Sequence, residues 1–167
     1  HTTHLQLQDV TKEITKPKLK QTISLLHSEM KNKFKISNPK ILVTGLNPHA
    51  GEDGLLGSHD KNVIHPVIQD FKKKKINIDG PVAADTAFLK KNIIKYDVIL
   101  TMYHDQGLPV IKYDNFKTTV NVTLGLPIIR VSVDHGTALD LVGTGKIDIS
   151  SFEAAIRLAK ELSNAQT

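Results

Sequence analysis

The chain has 167 residues, 40% of them hydrophobic, with ten glycines, seven prolines, no cysteine and a formal charge of +5. That length and composition suit a globular domain with a real core and exclude a disordered or collagen-like chain, a disulfide framework and a thiolate metal site; no apolar run is long enough to span a bilayer. The basic excess raises the question of nucleic acid, but the lysines gather at predicted helix ends (Lys72 to Lys75) or flank a helix (Lys12 to Lys20, Lys31 to Lys35), without interleaved aromatic residues, so neither a nucleic-acid nor a membrane partner is expected.

The start, His1 to Thr11, is polar and lacks the apolar stretch of a signal peptide, and together with the missing thiols this suggests a cytoplasmic protein. The absence of an initiator methionine suggests a fragment or a processed chain. From Pro17, a good first-turn residue, Leu19, Ile23, Leu26 and Met30 recur on one helical face. Asn38-Pro39 breaks the pattern, and Ile41 to Thr44 reads as a buried strand. A loop from Gly45 to Gly57 follows, then a helix from about Asp60 to Lys73, with Ser58 a possible cap and Pro66 marking a kink or a later start. Ile76 to Ile78 is extended, Asp79-Gly80-Pro81 reads as a turn, and a short helical or irregular stretch covers Asp85 to Lys91. Val98 to Leu100 is a second buried strand that runs straight into the polar loop Tyr103-His104-Asp105-Gln106-Gly107. Val120 to Leu124 and Ile128 to Val133 read as strands, Asp134 to Val142 as a helix, and Phe152, Ala155, Ile156, Ala159 and Leu162 as the stripe of a last helix. Alternating strands and helices predict an α/β fold, whose strand-end loops are the usual places for sites.

Eight histidines are present, and His4, His49 and His104 stand out by context. His49 and His104 each lie just past a predicted strand, so they can converge above a sheet. Neutral imidazole is a good ligand for zinc and related ions, and three histidines with an open position make a catalytic pattern. Their spacings match no compact metal motif, so unrelated loop histidines are the alternative. His135 could bind phosphate, act as an acid or cap the following helix; His27, His59 and His65 look structural or exposed. The glycines of 45–57 form neither a Rossmann fingerprint nor a P-loop. Lys112, Asn121 and Arg130 together would suit an acidic phosphorylated ligand, or they are ordinary surface residues; Arg130 sits in the apolar run Leu-Pro-Ile-Ile-Arg-Val, where a charge often has a partner.

Several longer strings carry more. Thr2-Thr3-His4-Leu5, Gly45 to Glu52 (GLNPHAGE), Gly80-Pro81 with Ala84-Asp85-Thr86, Tyr103 to Pro109 (YHDQGLP), Asn121 to Arg130 and Ser132 to Ala138 (SVDHGTA) together resemble the 4-hydroxythreonine-4-phosphate dehydrogenase family. The resemblance runs from His1 to about Leu162; the departures are Asp53 to Leu56 and the lysine-rich end at Lys72 to Lys75. It implies an isocitrate/isopropylmalate dehydrogenase-like fold of two α/β domains, of which this chain is the C-terminal portion. Residues 1–118 would form the central domain with metal ligands and dimer interface, and residues 119–167 part of the cofactor-side domain, whose partner strands are missing. The implied activity is oxidation of 4-phosphooxy-threonine by NAD or NADP, with decarboxylation to 3-amino-2-oxopropyl phosphate, in pyridoxal phosphate biosynthesis.

By the same resemblance His4, His49 and His104 bind a divalent metal, zinc ahead of magnesium, manganese or cobalt, while Lys112, Asn121 and Arg130 bind substrate. Asp85, Asp105 and Lys112 are the acid–base candidates, with Asp105 also placed to orient His104, and His135 and Gly125 are the cofactor contacts. A homodimer with the site at the subunit interface is implied, and the isolated fragment is expected to be inactive. The rival readings are a related dehydrogenase for another phosphorylated hydroxy acid and an inactive metal-binding homologue.

Overall fold

A computed structural model describes residues 1–115, 117–137 and 139–165. Two helices come first, α1 (Leu7–Glu13) and α2 (Lys16–Asn32), the latter with Pro17 in its first turn, where a missing N–H costs nothing. Strand β1 (Ile41–Thr44) is buried at all four residues. Beyond it lie a 3₁₀ segment (Pro48–Gly54), a π turn (Asp60–Ile64) and α3 (His65–Lys73). The helical run expected from Asp60 is continuous to Lys73; it opens as the π turn, and Pro66 falls where that turn gives way to α3. Next come β2 (Ile78–Val82), α4 (Ala84–Ala87), α5 (Lys90–Lys95), β3 (Val98–Leu100) and α6 (His104–Asn115). The last part holds β4 (Val120–Thr123), β5 (Arg130–Val133), a 3₁₀ turn (Leu139–Leu141) and α7 (Ser150–Asn164).

The strands form two sheets. One is parallel, in the order β2-β1-β3; the other is the antiparallel pair β4-β5. Parallel strands need crossovers, and α3 to α5 supply them. Ile41, Val43, Ile78, Leu100 and Met102 pack with Ile14, Leu19, Ile23, Ile64, Val67, Ile68 and Phe71 into the main core. Because β1 and β3 run the same way, the loops leaving both C-terminal ends open on one edge of the sheet, the usual place for a site in such folds.

Four expectations are corrected. Asp79-Gly80-Pro81 is not a turn but lies inside β2, with a cis Gly80–Pro81 peptide. Gly80 is there because the strands nearly touch: a Cβ would lie 2.3 Å from the Val43 carbonyl oxygen, and φ is +129°. Tyr103 to Gly107 is not a loop throughout, since α6 begins at His104. The helix expected over Asp134 to Val142 is a bend followed by the short turn Leu139–Leu141; Ala138, inside that range, lies outside the described residues. Leu139 is 76% and Val142 73% exposed, so no apolar face is buried to hold a helix together there. In α7, Ala155 and Leu162 are buried, but Phe152 and Ile156 of the same predicted stripe stay exposed.

Gly80→Ala in the full-length protein is expected to lower stability by at least about 2 kcal/mol, read from the urea midpoint, because the new methyl meets rigid backbone at a positive φ. An unchanged midpoint would show that β1 and β2 can move apart freely.

Candidate functional site

The loop after β1 carries His49. From His49 to Asp53 every φ is positive, between 44° and 80°, a left-handed run with glycine only at position 51. Each non-glycine residue there costs about 1–2 kcal/mol, so surrounding contacts must hold it. Asp60 anchors the Leu46–Asn47 segment that leads into this run. It is 2% exposed, and its carboxylate accepts Leu46 N–H at 2.7 Å, Asn47 N–H at 3.2 Å and the Asn47 side-chain amide at 2.8 Å. Gly45 makes room for this grip, since a Cβ there would lie 2.6 Å from Asp60 Oδ1 and 2.7 Å from Ala50 Cα.

The short loop after β3 leads into His104, the first residue of α6, and the start of the chain docks on that loop. Thr2 donates its N–H (2.9 Å) and its hydroxyl (2.8 Å) to the Met102 carbonyl. That brings the His4 ring to 5.6 Å from the His104 ring, centroid to centroid. His104 Nδ1–H donates to Asp105 Oδ1 at 2.6 Å, which leaves Nε2 as the free lone pair and fixes the tautomer a metal ligand needs. His49 is exposed and lines a cleft of about 420 Å³ with Asp85, Asp105, Gln106 and Tyr103. His104 lines a second cleft of about 250 Å³, which also touches Tyr103 and Asp105.

Two of the three imidazoles thus meet directly, and the third sits across Tyr103 and Asp105 in the neighbouring cleft. Among the described residues no group of three His, Asp or Glu side chains is close enough to enclose a metal ion. The donor types suit a borderline divalent ion, and Asp105 orients one of them; what a single chain lacks is convergence of all three.

Asn121 pairs with Ser132 and Thr123 with Arg130 across β4-β5. Residues two apart share a face, so Asn121 and Arg130 stand as diagonal neighbours on one face. Arg130 Nη1–H donates to Thr123 Oγ1 at 2.7 Å. Lys112, on α6, reaches Asp134 Oδ2 at 3.5 Å, just past β5, so all three residues border the same part of the molecule. His135 follows, with Nδ1–H on the Gly136 carbonyl at 2.8 Å rather than capping a helix. Gly125 sits at φ +81°; its N–H donates to Glu29 Oε2 at 3.2 Å.

Glu29 belongs to a latch. Its carboxylate also pairs with Lys33 at 2.7 Å, and Lys33 donates to the Leu126 carbonyl at 3.0 Å, tying α2 to the β4-β5 connection. The hydrogen bond from Lys33 holds the Glu29 carboxyl below its ordinary range, aided by the Gly125 N–H. A folded-state pKa below the unfolded one adds stability that is present above the unfolded value and lost as pH falls through the folded value. The wild-type advantage over Glu29→Gln, measured by denaturation in the full-length protein, is therefore expected at neutral pH and to fade as the pH drops below the ordinary glutamate range. A pH-independent difference would count against the latch.

Three residues that matter to this geometry carry no periodic or motif signal of their own. Asp60 reads in sequence as an ordinary helix start, Gln106 as part of a polar string, and Asp134 as the residue before a histidine. Only the resembling strings around Gln106 and Asp134 mark their neighbourhoods.

The chain is similar to known proteins over nearly its whole length. The family model described as "Pyridoxal phosphate biosynthetic protein PdxA" matches residues 1–159. A 4-hydroxythreonine-4-phosphate dehydrogenase of Stutzerimonas stutzeri is 52% identical over 164 residues, 98% of this chain and 50% of its own length. One of Methylococcus capsulatus is 51% identical over 165 residues, 99% of this chain and 50% of its own length. Among solved structures, the Klebsiella pneumoniae enzyme of that name superposes with a TM-score of 0.86 at 36% identity, covering 99% of this chain and 49% of that one. A terephthalate 1,2-cis-dihydrodiol dehydrogenase of Burkholderia xenovorans superposes with a TM-score of 0.75 at 27% identity, covering 96% and 50%. The chain spans about half the length of the curated relatives it matches. Its fold is the expected α/β fold, isocitrate/isopropylmalate dehydrogenase-like. The chain belongs to the PdxA family of pyridoxal phosphate biosynthetic proteins.

Proposed function

We propose that this chain carries the metal ligands and part of the substrate site of an NAD(P)-dependent 4-hydroxythreonine-4-phosphate dehydrogenase. The observation that carries the reading is the shared edge of the parallel sheet, where the His4–His104 pair, oriented by Asp105, lies beside the His49 cleft. The reaction oxidises the secondary alcohol of 4-phosphooxy-threonine, passing hydride to NAD or NADP and releasing a proton; the resulting 2-amino-3-oxo acid loses carbon dioxide to give 3-amino-2-oxopropyl phosphate.

His4, His49 and His104 would hold the divalent ion, zinc before magnesium, manganese or cobalt, and the ion supplies Lewis-acid polarisation of the substrate oxygen. Because one chain does not bring the three imidazoles together, a homodimer with the site at the subunit interface fits the ligand set. Lys112 and Arg130 neutralise phosphate and carboxylate, and Asn121 donates between them on the β4-β5 face. Asp85 and Asp105 line the His49 cleft, where a carboxylate can take or return the substrate proton, with Lys112 as the alternative acid–base group. His135 and Gly125 are assigned to the cofactor side. Residues 1–118 are assigned to the central domain and 119–167 to the cofactor-side domain. The setting is cytoplasmic; no helix among the described residues is long and apolar enough to cross a membrane.

The test is an assay of the full-length protein with 4-phosphooxy-threonine, NAD or NADP and a metal series, following reduced cofactor. Turnover with one of the metals is expected. No reduced cofactor with any metal would sink this reading in favour of an inactive metal-binding homologue. The similarity to the dihydrodiol dehydrogenase supports a second reading, a related dehydrogenase for another hydroxylated acid. Reduction with other substrates but not with 4-phosphooxy-threonine would select it.

A further inference from the structure

Gln106 joins the two loops that carry the histidines. It lies two residues after His104 in the first turn of α6, yet its side chain reaches the end of β1. Oε1 accepts the Met102 N–H at 2.8 Å and the Thr44 hydroxyl at 3.1 Å. Nε2–H donates to the Gly45 carbonyl at 2.8 Å, and the amide also approaches the Leu46 carbonyl at 3.4 Å. A carboxamide has two donor hydrogens and two acceptor lone pairs, and all four are engaged here. The partners lie at the end of β1 (Thr44, Gly45, Leu46) and just past β3 (Met102). Met102 is also the residue on which Thr2 docks, so the positions of His4 and His104 meet at the same backbone unit.

We propose that Gln106 is a positioning residue that sets the spacing between the His49 loop and the His4–His104 pair. The inference rests on the metal-site reading above and names a further residue for it. β1 and β3 are already hydrogen-bonded at Ile41–Val43 and Val98–Leu100, so the sheet does not need Gln106 to form. What Gln106 adds lies beyond the last ladder bond, where the two loops would otherwise diverge. Methionine has a similar length and volume and can keep the packing, but it makes none of the four bonds. Glutamate keeps the acceptor and turns the donor that faces Gly45 and Leu46 into a second acceptor.

The experiment uses the full-length protein. Divalent-metal affinity is measured by competition with a chelator, using zinc and cobalt, for wild type, Gln106→Met, Gln106→Glu and Thr44→Val. Apo-protein melting is followed alongside. Gln106→Met is expected to lower metal affinity about tenfold or more, the scale seen when residues that orient ligands are removed, while the apo-protein melts within a few degrees of wild type. Gln106→Glu is expected to lose at least as much, and Thr44→Val, which removes one bond of the four, to lose less in the same direction. Wild-type affinity in the Gln106 variants overturns the proposal. So does a loss of affinity that only tracks loss of folded protein. If both Gln106 variants fail to fold, Thr44→Val decides, and unchanged affinity there overturns it. A wild-type protein that binds neither metal at the histidines refutes the metal-site reading itself, which is a separate result.

Discussion

His104→Ala in the full-length protein is expected to abolish measurable metal binding and, with it, turnover at any practical metal concentration. Of the three histidines, His104 has the most complete setting. It starts α6 at the end of a parallel strand, faces His4 at 5.6 Å between centroids, and donates Nδ1–H to Asp105 at 2.6 Å. Residues that merely orient ligands typically account for 10–100-fold in affinity, so removing a ligand should exceed about 100-fold. Stability should hardly change, because the His104 side chain is 40% exposed and hydrogen-bonds to an exposed carboxylate. The contrast is His59, whose Nε2–H donates to the Ile14 carbonyl at 2.6 Å and which lies away from both clefts. His59→Ala should lose roughly 1 kcal/mol of stability and keep the metal. Chelator competition and thermal melting of the two variants read the difference. A His104→Ala protein that binds metal like wild type would undo the ligand assignment.

β1 and β3 were legible as short, continuous apolar runs bounded by turn-formers; β1, the central strand, is buried on both faces as that pattern demands, whereas β3 lies at the edge of the sheet with only Leu100 buried. The histidine loops were legible as strand ends, but not as neighbours. Their meeting depends on Thr2 docking on Met102 and on Gln106 bridging to Gly45, contacts between residues 61 to 100 positions apart. Nothing local encodes such pairs. Asp79-Gly80-Pro81 misled for a related reason. Gly and Pro are the usual residues of a turn, yet here glycine allows a strand to press against the Val43 carbonyl. The region from Asp134 to Val142 has helical spacing, but helices of that length depend on burying a face, and this face is exposed. Asp60 was invisible for the opposite reason: an acidic residue opening a helix is so common that its burial could not be guessed.

That burial makes Asp60→Ala the most destabilising single change expected near the site. The carboxylate is 2% exposed and holds two backbone N–H groups and one side-chain amide of the Leu46–Asn47 segment. Hydrogen bonds to a charged group contribute about 1.5–3 kcal/mol each, and a buried N–H left unpaired costs about 1–3 kcal/mol, so a net loss of roughly 3–4 kcal/mol is expected once non-additivity is allowed for. The left-handed residues His49 to Asp53 have the least reason to keep their shape once that grip is gone. The loop should relax, and His49 should lose its place in the cleft it lines. Metal affinity is therefore expected to fall together with stability, unlike in His104→Ala, where it falls alone. Asp60→Asn separates charge from shape: its carbonyl can still take one N–H, but its amino group meets donors, so it should fall between wild type and alanine. Urea denaturation and chelator competition on the three proteins give both quantities. An alanine variant with a wild-type midpoint would show that the loop keeps its left-handed path without Asp60, held by its other contacts, such as Lys61 on the Asp53 carbonyl and the Leu56 N–H on the Gly51 carbonyl.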